Sequence, residues 1–365
     1  MNYHFGDRAA LIDALFAKAE SQRDQWDARW RSMPPAVVPL EALPGWLATV
    51  GAEQAWSIDY PGVLLRELAM DAGREARRQP IAQRVRSAID LFWRDSARHL
   101  GCAPVDGVIL ADFIDGLTGL HAGNRALSRL AWMSETCRRF VARLFETNAA
   151  TGWDGWRLRE RRWAAAPSEP AFNSRETEVL DAAVGVLGSG GLAALTHRAV
   201  AARAATSLAA VTNAHPTREL LVRATFDRLV AQLAEGRRPT LTDERLDARD
   251  LARRTADSLI LEDGAVRPQI LAAEELMAHS ARDMELAPLA AGLRAARGEN
   301  SALLLQNLIT RHDRLDSLDA HLVSLMMTGA IRAAYAEPPE TRRSWLATRL
   351  TVSLERLYGV EAKVG

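Results

Sequence analysis

Residues 65–86, "LRELAMDAGREARRQPIAQRVR", lie over residues 273–294, "AEELMAHSARDMELAPLAAGLR", without a gap. Glu67, Leu68, Arg74, Pro80, Ala82 and Arg86 fall on Glu275, Leu276, Arg282, Pro288, Ala290 and Arg294. Farther on, Trp132 falls on Trp345, Arg143 on Arg356, Leu144 on Leu357 and Phe145 on Tyr358, so the offset drifts only from 208 to 213. A shared helical period could bring leucines into register, but not Pro, Trp and Arg as well. The chain reads as a tandem duplication, so the two halves must fold as variants of one another. Its 365 residues suit two domains of ordinary size.

Almost every segment has helical period. Leu64, Leu65, Leu68, Ala72 and Ala76 share one face of a long segment running to Leu100, with Arg and Glu opposite. "SRLAWMSETCRRFVARLFE" and "RRSWLATRLTVSLERLYG" repeat the pattern. Alternating strand patterns and turn-bounded β-rich runs are absent, and Asp106-Gly107 sits beside a helical segment. The expected class is all-α.

Charge excludes little. Lys+Arg and Asp+Glu balance at 46 each, so net charge gives no support to nucleic-acid binding, although a local basic face remains compatible with it. Lys18 and Lys363 are the only lysines, which reads as codon bias. Cys102 and Cys137 are too far apart for a metal or redox motif. No apolar run reaches the roughly 18 residues of a membrane span, and no signal peptide is visible, so a cytoplasmic protein is expected.

One stretch of the second half, "EVLDAAVGVLGSGGLAALTHRAVAARAATSLAAVTNAHPTRELL", has no counterpart in the first. Val179, Leu180, Ala183, Val184 and Leu187 form a short apolar helix face that ends at "GSGG". Thr196 is placed to cap a second helix carrying Val200 and Ala201; after a short turn Ser207 can cap a third, which Pro216 closes. Three short helices, two joined by a tight turn, make a helix-turn-helix unit. The second helix of such a pair usually enters the DNA major groove.

Here the sequence resembles the TetR/AcrR family of bacterial repressors. The residues that carry the resemblance are Val179-Leu180-Asp181-Ala182-Ala183, Gly191, Thr196, Val200-Ala201, Ser207, Arg218 and Leu221, and "NYHFGDRAAL" at the start is similar to the close of the same motif. The resemblance implies two TetR-like units in one chain, forming an intrachain pseudodimer, with a further homodimer also open. It implies a first unit at 1–165 with a partial helix-turn-helix at 1–11, a linker at 166–176, a helix-turn-helix at 177–222, and ligand-binding and dimerising helices at 223–365. The first copy is expected to start late, with about 30–40 residues missing ahead of it. The resemblance implies DNA contacts at Tyr3, His4, Arg8, Thr196, Arg198, Ser207, Thr212, Asn213 and Arg218. The last helices, "SRLAWMSETCRRFVARLFE" and "RRSWLATRLTVSLERLYG", are expected to pack on one another.

The departures from the family pattern bear on function. Ala205 stands where the family turn usually carries Gly, and if that position needs positive φ, alanine costs roughly 1 kcal/mol. Thr212, Ala214 and His215 replace the usual Tyr, His and Phe, and residues 206–214 carry no charge. The expected function is a ligand-responsive regulator binding an operator in double-stranded DNA. The alternative is a paralogue that has lost DNA binding and titrates another regulator. Nine of ten tryptophans lie in the first copy and its tail. The family's regulatory half would use such a surplus to line a cavity for a small hydrophobic or aromatic effector, with Trp56, Trp93, His99 and Phe113 as candidates. No enzyme, cofactor or metal site is expected. "GSGG" lacks the Lys-Ser/Thr of a P-loop, and the His312–Asp316 spacing suits a solvated helix face better than a metal.

Overall fold

The computed structural model describes residues 8–32, 38–57, 59–122, 127–147, 174–235, 245–280, 283, 285–312 and 315–359. Within them the chain is all-α, and the only β pairings are two isolated bridges, Leu246 with Leu308 and Ile260 with Val266. The helices of the first half are α1 (Arg8–Ser32), α2 (Leu43–Trp56), α3 (Gly62–Arg74), α4 (Gln79–His99), α5 (Pro104–His121) and α6 (Leu127–Leu144). Three helices follow that the first half does not repeat: α7 (Ser174–Ala194), α8 (His197–Arg203) and α9 (Leu208–Ala214). The chain continues with α10 (Arg218–Glu235), α11 (Ala248–Leu259), α12 (Pro268–Ser280), α13 (Ala287–Ala296), α14 (Glu299–Gln306), α15 (Ser317–Tyr335) and α16 (Pro339–Tyr358). Helix α7 begins inside the stretch read as a linker.

The aligned segments form the same elements. Both α4 and α13 carry their aligned proline, Pro80 or Pro288, in the first turn, where the missing N–H costs nothing. Gly298 then breaks the second copy. It takes φ +92°, and a Cβ there would lie 2.9 Å from the His321 nitrogen, so α13 and α14 together replace the single helix α4. The continuous helix expected from Leu64 to Leu100 is likewise interrupted. Glu75 turns extended, a short 3-10 turn spans Ala76–Arg78, and Ala76 is exposed.

Helices α5 and α15 cross at the centre of the molecule. A Cβ on Gly116 would lie 2.1 Å from the Leu325 carbonyl oxygen, and a Cβ on Gly329 would lie 2.0 Å from that of Asp112. Gly329 is 213 residues from Gly116, and Leu325 is 213 from Asp112, the offset of the aligned tryptophans. The same relation holds for two ion pairs. Arg143 Nε donates to Asp319 Oδ1 at 2.7 Å, and Arg356 Nε donates to Asp106 Oδ1 at 2.9 Å. Both aspartates also accept from the backbone nitrogen at the start of their own helix, Ala103 or Asp316.

Other contacts across this centre are not repeated. Arg349 Nε donates to Asp112 Oδ2 at 2.6 Å and Nη2 to Oδ1 at 2.9 Å, while its Nη atoms also reach Asp90. Arg86 completes the group on Asp112 at 2.8 Å. Asp112 is wholly buried, so removing one of its arginines would cost about 3–5 kcal/mol.

Helices α6 and α16 do not form the main contact expected of them. Each packs chiefly on its own half, α6 on α2 and α16 on α11, and the small residues at the α5–α15 crossing make that the close approach. Trp132 is buried between His121 and His321, whereas Trp345 is half-buried beneath the Arg349 guanidinium. The His312–Asp316 stretch is not a helix face. His312 precedes α15 and bonds to the Leu357 carbonyl oxygen at 2.8 Å, and Asp316 is the N-cap residue of α15 and an acceptor from Arg139.

Candidate functional site

Two places combine defined geometry with chemistry that the packing alone does not use. The first is the three-helix head, α7 to α9. Its core is Val179, Ala183, Val186, Leu195, Val200, Ala201, Val211 and Leu221, so α10 closes the unit from below. Thr196 Oγ1 accepts from the Ala199 nitrogen at 3.2 Å and Ser207 Oγ from the Ala210 nitrogen at 3.1 Å, so both act as N-caps. Between them Ala205 takes φ +49°, the left-handed conformation for which glycine is better suited. Gly191 at φ +70° ends the regular part of α7.

These constraints hold α9 with Val211 inward and Ser207, Leu208, Ala209, Thr212, Asn213 and Ala214 exposed. Arg198 is exposed on α8. Arg218 is exposed too, yet its Nη2 donates to the Leu192 carbonyl oxygen at 2.8 Å, so one of its donors holds α7 to α10. Thr212 Oγ1 bonds back to the Leu208 carbonyl oxygen, leaving an oxygen lone pair outward. Tyr3 and His4 lie outside the described residues; Arg8 opens α1.

The head is tied to the first half of the chain. Arg74, at the end of α3, donates from Nε to the Gly188 carbonyl oxygen at 2.9 Å and pairs with Glu275 of α12 at 2.8 Å. A Cβ on Gly188 would lie 2.3 Å from the Pro268 carbonyl oxygen, so α7 rests on the start of α12. "GSGG" is therefore the join between head and body.

The second place is a pair of cavities in the body. One, of about 70 Å³, lies between α3, α4, α5 and the end of α15. Leu65, Ala69, Val85, Trp93 and Thr118 are on its wall. A second, of about 220 Å³, is lined by Ala273, Met277, Leu293, Ser301 and Ile331, the residues aligned with those five. The two cavities thus occupy equivalent positions in the two halves. Their charges differ, because Arg66 and Asp115 in the first are replaced by Glu274 and Thr328 in the second, and Ile89 by Arg297.

An ion group separates the cavities. Arg332 donates to Glu274 Oε2 from Nη2 at 2.6 Å and from Nε at 2.8 Å, and from Nη1 to the Asp115 carbonyl oxygen at 2.9 Å. Burial works against its charge, but Glu274 and Asp115 more than offset this and hold it above the usual arginine value. Arg66 lacks such support. It makes no hydrogen bond or ion pair among the described residues, and burial followed by the field of Arg332 pushes its pKa down to about 10.

Of the residues expected to hold an effector, Trp93 alone lines the first cavity. Trp56 donates from Nε1 to the His121 carbonyl oxygen, and Phe113 stacks on Phe140 with ring centres 4.1 Å apart in the core. His99 is exposed at the end of α4. The surplus tryptophans pack on each other instead. Trp26, Trp30, Trp46 and Trp93 form a chain of ring contacts, and Trp26 and Trp30 both donate to Glu53 Oε2. Trp153, Trp156 and Trp163 lie outside the described residues. Arg66, Asp115 and Arg332 were not among the candidates; the one signal for them was the reversal of charge where Arg66 aligns with Glu274.

Among the described residues no group of three or more His, Cys, Asp or Glu is placed to hold a metal, and no helix is long and apolar enough to cross a membrane. Compared with protein-family models, with curated proteins and with solved structures, the chain matches none.

Proposed function

We propose that the chain is a ligand-responsive transcriptional regulator of the TetR type, cytoplasmic and made of two TetR-like units paired within one polypeptide. The observation that carries this is the turn between α8 and α9. Two side-chain caps and a left-handed residue hold a short helix proud of the body with Ser207, Thr212 and Asn213 outward. That is the arrangement by which a recognition helix reaches base edges, and capped N-termini suit phosphate. Paired units are supported by the glycine contacts and ion pairs that recur at an offset of 213 across α5 and α15. A route from ligand to head is supported by α3, which carries Arg66 on one cavity and Arg74 two turns later on Gly188. The proposed role involves no catalysis.

The test is binding of the full chain to a duplex from upstream of its own gene, against a scrambled duplex. A specific complex is expected, lost in Asn213→Ala. Arg198, Arg203 and Arg218 are exposed on the helices that flank α9, so the slope of log K against log salt should be shallow, about −3. Equal affinity for both duplexes would reject operator recognition. It would favour the second reading, a paralogue that binds a protein partner, for which the specific observation is apolar exposure beside an uncharged α9. Leu208 is 46% and Leu220 50% exposed.

A further inference from the structure

We propose that the cavity of the first half is a receptor site for a small carboxylate with an apolar body, its anionic group paired with Arg66. This rests on the reading of the helical body as a ligand receptor, and not on DNA binding.

Three arginines stand on the cavity wall, and two already have counter-charges. Arg86 is paired with Asp90 at 2.7 Å and Asp112 at 2.8 Å, and Arg332 with Glu274 at 2.6 Å and Asp115 at 3.3 Å. Among the described residues Arg66 has none within ion-pair distance. Asp115 and Glu274 act on it only through space, and both are engaged by Arg332. The surface that Arg66 retains lines the cavity, though its surroundings are packed protein. A guanidinium in such a place stays charged at neutral pH and presents a planar set of donors that fits a carboxylate with two parallel bonds.

The rest of the wall sets the other half of the ligand. Leu65, Ala69, Val85, Ile89 and Trp93 offer carbon and ring surface, and Gln54, Tyr60 and Thr118 are the neutral polar side chains beside them. A volume of about 70 Å³ holds several waters but is less than half of the ~150 Å³ that takes a benzene ring, so it suits a short aliphatic chain. The equivalent cavity is expected to refuse the same ligand, since Glu274 stands where Arg66 does and the arginine on its wall, Arg297, already donates to Thr328 Oγ1 at 2.5 Å. One site per chain follows, despite two cavities.

The experiment is calorimetric titration of the full chain with propanoate and butanoate, and with propanamide and butanamide as neutral analogues, with tryptophan fluorescence as a second readout. At least one carboxylate should bind at one per chain, with its amide much weaker. Arg66→Met should weaken it about 30-fold or more, and Arg66→Lys by less, because the charge remains without the paired donors. Arg297→Met, in the second cavity, should leave it unchanged. The proposal is overturned by amides binding as well as carboxylates, by unchanged affinity in Arg66→Met, by two equivalent sites, or by no saturation with either carboxylate up to about 10 mM. Arg66→Met removes no ion pair among the described residues and should fold; if its melting shows otherwise, Arg66→Lys and the amide comparison decide. Carboxylate binding with no operator binding would keep this site and reject the regulator, and the converse would do the opposite.

Discussion

Replacing Gly116 or Gly329 by alanine tests the central crossing of α5 and α15. In an unobstructed helix this change stabilises by about 1 kcal/mol, because alanine is the better helix former. Here the new methyl carbon would lie 2.1 Å from the Leu325 oxygen in one case and 2.0 Å from the Asp112 oxygen in the other. Ordinary contact begins near 3.4 Å, so the helices would have to part by about 1.3 Å. A gap of that size forfeits about half of the dispersion attraction along the seam. The neighbouring Arg349–Asp112 bonds at 2.6 and 2.9 Å would have to stretch with it. Net destabilisation of about 2–4 kcal/mol is expected for each variant, and nearly the same for both, since the sites are related by one offset. Urea unfolding followed by tryptophan fluorescence and circular dichroism measures it. The double variant should lose less than the sum, because one separation relieves both clashes. A gain in stability from either alanine, or losses differing by more than about 2 kcal/mol, would refute the reasoning.

Two further outcomes are expected. Ala205→Gly should stabilise the head by about 1 kcal/mol, since φ +49° no longer opposes a Cβ; protection of α8 and α9 amides from hydrogen exchange would report it, and no gain would mean that the left-handed turn is wrong. Acid should weaken the fold through His121, whose burial, helped by Arg129, holds its pKa well below 6.5. Below pH 6.5 the unfolded chain then binds a proton that the folded chain refuses, so stability falls as pH falls. Buried His215 and half-buried His312 act in the same direction, and Asp27, raised to about 7 by burial, acts in the opposite one. The loss between pH 7.5 and 5.5 should therefore be about 1.4 kcal/mol smaller in His121→Phe than in the parent; equal losses would show that His121 titrates freely.

What could be read from the sequence was local or repeated. Thr196 and Ser207 cap helices because the backbone N–H groups that donate to them lie three residues on, within the reach of sequence reasoning. The internal repeat was legible because Pro, Trp and Arg recur in register, and the aligned residues lie in helices. The fate of the tryptophans was not, since it depends on partners far away in the chain: Glu53 captures Trp26 and Trp30, and His121 captures Trp56. The seam was legible only in part: α6 and α16 do touch, but the closest approach is that of α5 and α15, which depends on two glycines that carry no periodic signal. Arg66 was hidden among 46 basic residues, because an unpaired guanidinium is defined by which carboxylates fail to reach it.

The unrepeated bonds across the centre make the halves a mated pair rather than two interchangeable parts. Arg349 meets Asp112, and Arg139 meets Asp316, but 213 residues away stand Thr136, Leu325, Val352 and Ala103. Two second halves brought together would set Arg349 against leucine with no carboxylate to receive it, and two first halves would leave Asp112 one arginine short. Each half is thus disfavoured as its own mate. If the covalent join were cut, the pieces should still choose each other, because that choice is written into the buried charges and no longer depends on being tethered.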